Sequence, residues 1–358
     1  MENIIRHRIE KLSEAVNDWL SPENRVLKTA IDQTVGEGLF SFEDVKYQLL
    51  ALKKSLKKGE FIRWVDKVGI DSYESQSSKK ILCLHAGNLP LVGVQDILAV
   101  VLAGHTYLGK LSRKDPYLPE SLLSLLRDRG LIDGRWSLHL DELGDDETVD
   151  AILFSGSTES VNPVLDKLRS VGLADSSTPR LVRTAHYSMA YISDDEPDTM
   201  KQLTDAVFRY GGSGCRSVAI VVAPFGLREK KCGFTDYVES FWLNNPQHKK
   251  PTPSLYHRFA YNKAVDIEQS WLDDFLIEET DHQPTEPFIL HWVKGDLDRF
   301  NKLALTYRDG LQSLYVTDPD IETTQGLPDP EMLSDAQKPP IWWQPDGVDP
   351  LQWLINIQ

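Results

Sequence analysis

The chain has three cysteines, and one of them sits in a distinctive setting for covalent chemistry. In Gly211-Gly212-Ser213-Gly214-Cys215-Arg216-Ser217, three glycines precede a cysteine. Glycine lets a backbone turn sharply and approach a ligand closely. The apolar run Val218 to Val222 follows at once, so the thiol is expected where a loop enters a strand. There it can be accessible and lie near backbone N–H groups, which lower a thiol's pKa and can stabilise an oxyanion. The same spacing also suits a structural cysteine in a glycine turn. Cys83 lies inside the apolar run Ile81 to Leu84 and is read as core; Cys232 is the remaining cysteine. No pair has CxxC spacing, so neither a disulfide framework nor a zinc site is indicated, and no metal is expected.

Three further stretches carry candidate binding groups. His85-Ala86-Gly87-Asn88-Leu89-Pro90-Leu91 follows a strand, and Pro90 suits the first turn of the next helix. The Asn88 amide could cap that helix. At the carboxyl end of a parallel strand it could instead reach into a crevice. Phe154-Ser155-Gly156-Ser157-Thr158-Glu159 reads as strand, glycine turn and helix start, which exposes N–H groups and hydroxyls to an anion. Ser157 also fits a plain N-cap. Gly109-Lys110-Leu111-Ser112-Arg113-Lys114-Asp115-Pro116 gathers basic residues at a strand end. Fixed cations there suit ribose hydroxyls or a 2′-phosphate, and the run also fits a solvated turn. His85 and His186 are imidazoles that could relay a proton, though each reads better as a structural histidine.

The elements that must position these groups follow from periodicity. Ile5, Ile9, Leu12, Val16 and Trp19 recur at helical spacing, and Ser41 with Asp44 resembles a helix start. Residues 71–79 are polar and Ser-rich and read as a linker. Strands are expected at Ile81 to Leu84, Tyr107 to Leu111 and Ala151 to Phe154. Helices are expected at Leu91 to Leu102, near 119–128 and at 158–171. This alternation argues for an α/β fold whose parallel sheet is covered on both faces. After Cys215 a second series places strands at Val218 to Val222 and Phe288 to Val293 and a helix from Asp296 to Leu305. The proline-rich stretch 325–348 reads as an extended tail over the surface.

Composition sets outer bounds. The chain has 358 residues, 39 basic and 54 acidic, for a net charge of −15. That balance disfavours nucleic acid and anionic membrane surfaces. No apolar run is long enough for a transmembrane helix, and the charged N-terminal residues lack a signal-peptide core. The expected compartment is reducing cytoplasm, where a free thiolate can react.

Singly these motifs are weak, but their order resembles that of the aldehyde dehydrogenase superfamily. The Asn88-Leu89-Pro90 turn, the strand-ending Lys110, the Phe154 to Glu159 turn and the Gly-rich Cys215 come in the family's sequence. The likeness continues through Glu286-Pro287-Phe288, Asp296-Leu297-Asp298 and Asp309-Gly310-Leu311, over roughly residues 80–320. The His85 to Leu91 and Lys110 to Pro116 stretches resemble one branch, the long-chain acyl-CoA reductases (LuxC-like). The resemblance implies an aldehyde dehydrogenase-like fold of two Rossmann-like αβα domains with the active site between them. It divides the chain into a helical segment 1–79, an NAD(P)-binding domain 80–187, a catalytic domain 188–320 and a tail 321–358. It makes Cys215 the nucleophile and Asn88 its oxyanion partner. Lys110, Ser112, Arg113, Gly156, Ser157 and Glu286 become cofactor-binding residues. The basic run favours NADPH, with NADH also accommodated. An acyl-CoA or acyl-carrier substrate is implied, and an acyl-protein synthetase or acyl-transferase partner and a homo-oligomer are admitted.

One departure bears on the reaction. Hydrolytic members place a water-activating glutamate upstream of the nucleophile, and here Arg183 aligns there. A guanidinium is no general base at neutral pH. The resemblance therefore implies reduction of an acyl thioester to aldehyde. An ordinary hydrolytic aldehyde dehydrogenase that uses another base, and an inactive acyl- or partner-binding relative, remain open alternatives.

Overall fold

The computed structural model describes residues 2–69, 78–144, 148–184, 187–245, 253–272, 275–286 and 288–357, without the side chains of residues 2, 3, 230–232 and 253. Most of the stretch read as a linker, together with His186, Pro287 and the Cys232 side chain, lies outside the described residues. The chain forms two compact units, Met1–Ala185 with Lys338–Gln358, and His186–Gln337.

The first unit opens with amphipathic helices α1 (Glu2–Trp19), α2 (Arg25–Gly36), α3 (Phe42–Ser55) and α4 (Lys58–Val68). Ile9, Leu12, Val16 and Trp19 of the expected apolar face are buried. Ser41 caps α3, its hydroxyl accepting the Asp44 N–H at 3.1 Å, which satisfies a donor that the first helical turn leaves without a partner.

There follow β1 (Lys80–Leu84), α5 (Val94–Ala103), β2 (Thr106–Lys110), α6 (Tyr117–Asp128), β3 (Gly134–Ser137), β4 (Ala151–Gly156), α7 (Thr158–Ser170) and β5 (Arg180–Thr184). The five strands form a parallel sheet in the order β3-β2-β1-β4-β5. The buried residues of β1 and β4 are all apolar, as in strands covered on both faces. Strand order reverses between β1 and β4, and ligands of such sheets bind beyond the carboxyl ends at that point. Leu84 is in register with Lys110 on one side and Phe154 on the other. The loops after β1, β2 and β4 therefore leave the sheet at one edge.

The second unit contains β6 (Tyr187–Tyr191), α8 (Pro197–Phe208), β7 (Val218–Ala223), α9 (Leu227–Asn244), α10 (Pro253–Ala264), β8 (Gln269–Leu272), β9 (Phe275–Glu279), β10 (Ile289–Lys294), α11 (Leu297–Thr306), β11 (Leu311–Val316) and β12 (Glu331–Met332). Its sheet runs β12-β11-β6-β7-β10-β9-β8. All neighbours are parallel except β8 and β9. Asp296 caps α11, its carboxylate accepting the Arg299 N–H at 3.0 Å.

Residues 338–357 return to the first unit and end in α12 (Pro350–Ile355). The reading of 325–348 as a surface tail does not describe this segment. Ile341, Leu351 and Leu354 are buried in the first unit's main core. The Gln95 amide donates to the carbonyls of Ile341 at 2.7 Å and Trp343 at 2.6 Å. The Trp64 indole donates to Asp349 at 2.9 Å. Prolines bar regular pairing because they lack an N–H, yet the apolar side chains between them still reach a core.

Candidate active site

On the first unit, the loop joining β1 to α5 is held at both ends. The His85 N–H donates to the Lys110 carbonyl at 3.1 Å. The His85 ring bonds the Tyr107 hydroxyl at 2.6 Å. Burial holds that imidazole's pKa down at about 4, so at neutral pH it is an uncharged structural group and a poor proton relay. A Cβ on Gly93 would meet His85 Nδ1 at 1.9 Å, so only glycine fits beside the ring.

The α5 helix starts at Val94 with Gly93 as its N-cap, three residues later than the sequence suggests. Leu91 adopts a left-handed backbone, φ 59°, which no helix can incorporate. Asn88 is therefore not the cap of α5. Its side chain, half-buried, sits in the turn beyond the carboxyl end of β1.

Lys110 ends β2 beside this loop, and burial together with nearby Arg113 holds its ammonium pKa below the usual lysine value. Ser112 packs on Gly87, where an added Cβ would lie 2.2 Å from the serine oxygen. The Ser112 hydroxyl also accepts the Lys114 N–H at 3.2 Å. Arg113 and Lys114 are exposed, and the Arg113 guanidinium lies 3.2 Å from His139 Nδ1.

Gly156 ends β4, and Ser157 stands at the N-cap of α7 without making a capping hydrogen bond. A Cβ on Gly156 would meet the Phe154 ring at 2.8 Å. The turn thus presents a helix N-terminus and an exposed hydroxyl to solvent at the switch point.

On the second unit, Cys215 lies between the end of α8 and the start of β7, as its glycine-rich setting suggests. The backbone reverses through Tyr210 (φ 57°), Gly211 (φ 65°) and Gly212 (φ 66°). Left-handed backbone in a tyrosine costs roughly 1–2 kcal/mol, so the surroundings must enforce it. The Ser188 hydroxyl donates to the Cys215 carbonyl at 3.0 Å. Arg216, buried, pairs with Glu331 at 2.7 Å and donates to the Ala336 carbonyl at 2.7 Å. The backbone at Cys215 and the Arg216 side chain are thereby tied to β6 and β12, while Cys215 is half-buried. Cys83, by contrast, is fully buried in β1, and burial pushes its thiol pKa well up.

Glu286 precedes β10 and lines an open surface groove of about 330 Å³ with Ser254, His257, Arg258 and Tyr261. Its buried Oε2 has no hydrogen-bond partner among the described residues. Arg258 is held elsewhere, by Glu278 at 2.8 Å. A buried carboxylate oxygen in that state fits a ligand hydroxyl.

No protein-family model matches this sequence. A stretch of 129 residues is 27% identical to malonate-semialdehyde dehydrogenase 2 of Bacillus mycoides (strain KBAB4), covering 34% of this chain and 26% of that protein's length. Solved structures match far more of the chain. An aldehyde dehydrogenase from Bartonella henselae superposes with a TM-score of 0.59 at 12% identity, over 89% of this chain and 75% of that one. A mutant of aldehyde dehydrogenase C from Pseudomonas syringae, in complex with NAD+ and octanal, gives 0.57 at 12% identity, over 89% and 73%. The succinic semialdehyde dehydrogenase of Streptococcus pyogenes, with NADP+, gives 0.56 at 11% identity, over 87% and 76%. The protein has the aldehyde dehydrogenase fold.

Within that fold the sequence-derived candidates divide between the two units. Asn88, Lys110, Ser112, Arg113, Gly156 and Ser157 share one edge of the first sheet, while Cys215 and Glu286 belong to the second unit. Arg183 lies in β5 with 7% of its side chain exposed and pairs with Asp96 of α5 at 2.5 Å. Asp96 is 4% exposed. Two residues escaped sequence reasoning. Asp96 sits within an apolar helix, where an isolated acid already signals a buried partner. Asp115 is buried and accepts the Leu91 N–H at 2.6 Å. Its only sequence signal is its place between Lys114 and Pro116.

Proposed function

We propose that this protein reduces an acyl thioester, of the long-chain acyl-CoA class, to the aldehyde with NAD(P)H. The Cys215 thiolate attacks the thioester carbonyl, and the Asn88 amide with the Cys215 N–H donates to the oxyanion. The CoA thiolate leaves, and the acyl group stays on sulfur. Lys110, Ser112, Arg113, Gly156 and Ser157 would hold the adenosine and pyrophosphate of the cofactor, and Glu286 would accept a ribose hydroxyl. When bound, the nicotinamide supplies the hydride that converts acyl-Cys215 to aldehyde and frees the thiolate. The sum is acyl-CoA, NAD(P)H and a proton giving aldehyde, CoA and NAD(P)+. Exposed Arg113 and Lys114 favour NADPH through its 2′-phosphate.

The observation carrying this reading is the locked Arg183–Asp96 pair. Arg183 occupies the position that the family resemblance gives to the water-activating glutamate. A guanidinium held by a buried carboxylate neither accepts a proton nor turns toward a substrate. General-base help is worth about 10²–10⁴ in rate, so an acyl-Cys without it persists long enough to be reduced. The likeness to a semialdehyde dehydrogenase supports a second reading, oxidation of an aldehyde to its acid.

Labelled long-chain acyl-CoA is expected to attach covalently to the wild-type protein at Cys215 and not to Cys215→Ala. Label retained by a folded Cys215→Ala protein would exclude the mechanism. An acyl carrier protein conjugate and an acyl-protein synthetase, tried as donors in the same assay, identify the physiological thioester.

A further inference from the structure

We propose that Asp115 is a positioning residue that sets the Asn88 amide by holding the turn that carries it. The inference rests on Asn88 being the oxyanion donor.

From Asn88 the chain runs through Leu89 and Pro90 to Leu91. The proline ring fixes its own φ and restricts the residue before it. Leu91 takes φ 59° with its side chain 1% exposed. A leucine does not choose left-handed backbone in solution. Two contacts enforce it here: the side chain lies in the main core, and the N–H is taken by Asp115 at 2.6 Å. The Leu91 carbonyl then accepts the Val94 N–H at 3.1 Å, leading into α5.

Asp115 is itself fixed. Its N–H donates to the Ser112 carbonyl at 3.1 Å, and the two residues form an isolated antiparallel bridge. Ser112 abuts Gly87, the residue before Asn88. The loop after β2 thus grips the loop after β1 on both sides of Asn88, at Gly87 and at Leu91. A carboxyl group 1% exposed, whose second oxygen has no hydrogen-bond partner among the described residues, is a costly way to satisfy one N–H. A requirement for the position of that N–H accounts for the cost.

The test is a double-mutant cycle on single-turnover acylation of Cys215 by a long-chain acyl-CoA, with folding checked by circular dichroism. Asn88→Ala is expected to slow acylation by about 10²–10³, and Asp115→Ala by about 10–100-fold through misplacement. The double variant is expected to be no slower than Asn88→Ala alone, because both act through one amide. Asp115→Asn, which keeps an acceptor for Leu91, restores the rate. Should Asp115→Ala fail to fold, Asp115→Leu fills the volume without an acceptor and takes its place in the cycle. Additive losses, or an Asp115→Ala rate equal to wild type, overturn the positioning role while leaving the function intact. An unaffected Asn88→Ala protein that still labels at Cys215 overturns the oxyanion assignment, and the positioning role with it.

Discussion

At the residue scale, the chemistry was legible where a residue's type constrains its backbone. Cys215 follows a left-handed turn that its glycines announce, and Cys83 is as buried as its apolar neighbours require. Asn88 was ambiguous between cap and ligand because the Leu91 conformation depends on Asp115, which lies 24 residues away in sequence. Asp115 also yields a stability prediction. Burial raises its pKa to about 7, and the Leu91 N–H offsets this only in part. The unfolded carboxyl titrates near 3.9, so the folded state holds the proton more tightly. The resulting stabilisation is complete below about pH 4 and is lost as pH rises through about 7. Relative to Asp115→Asn, the wild-type melting temperature is expected to fall between pH 4 and pH 8. Parallel melting curves for the two proteins across that range would refute the assignment.

At the element scale, β1, β2, β4 and α7 lie close to their sequence-derived limits, since continuous apolar runs and the switch to helical spacing mark buried parallel strands and their covering helices. The helix expected from Leu91 begins instead at Val94. Strand β3, Gly134–Ser137, is short and half-exposed, so it carries no apolar run to read. The apolar pattern of β5 is broken by Arg183, whose buried charge is met by Asp96 of α5. Removing one partner of a buried pair typically costs about 3–5 kcal/mol, whereas replacing both with apolar residues is often close to neutral. Arg183→Leu and Asp96→Leu are each expected to lose stability on that scale in chemical denaturation. The double variant is expected to recover most of the loss. Equal, additive losses would mean that the pair does not hold β5 to α5.

At the scale of the whole molecule, the alternation of strands and helices conveyed two parallel-sheet units, but not the return of the C-terminal segment to the first. Its prolines erase the periodicity that reveals a core segment. Truncation after Gln337 removes Ile341, Leu351 and Leu354 from the first unit's core. Core losses of this type cost about 2–5 kcal/mol per large side chain. The shortened protein is expected to melt well below the full chain in calorimetry. An unchanged melting temperature would show that this segment contributes no stability.

The fate of the acyl group on Cys215 is the decisive measurement. In a single turnover, protein charged with labelled long-chain acyl-CoA is mixed with NADPH or NADH and the products are separated. Persistent acyl-Cys215 without cofactor, converted to aldehyde on its addition, is the predicted result. Rapid release of free fatty acid, with or without cofactor, would contradict it by revealing an activated water that a buried Arg183 cannot supply.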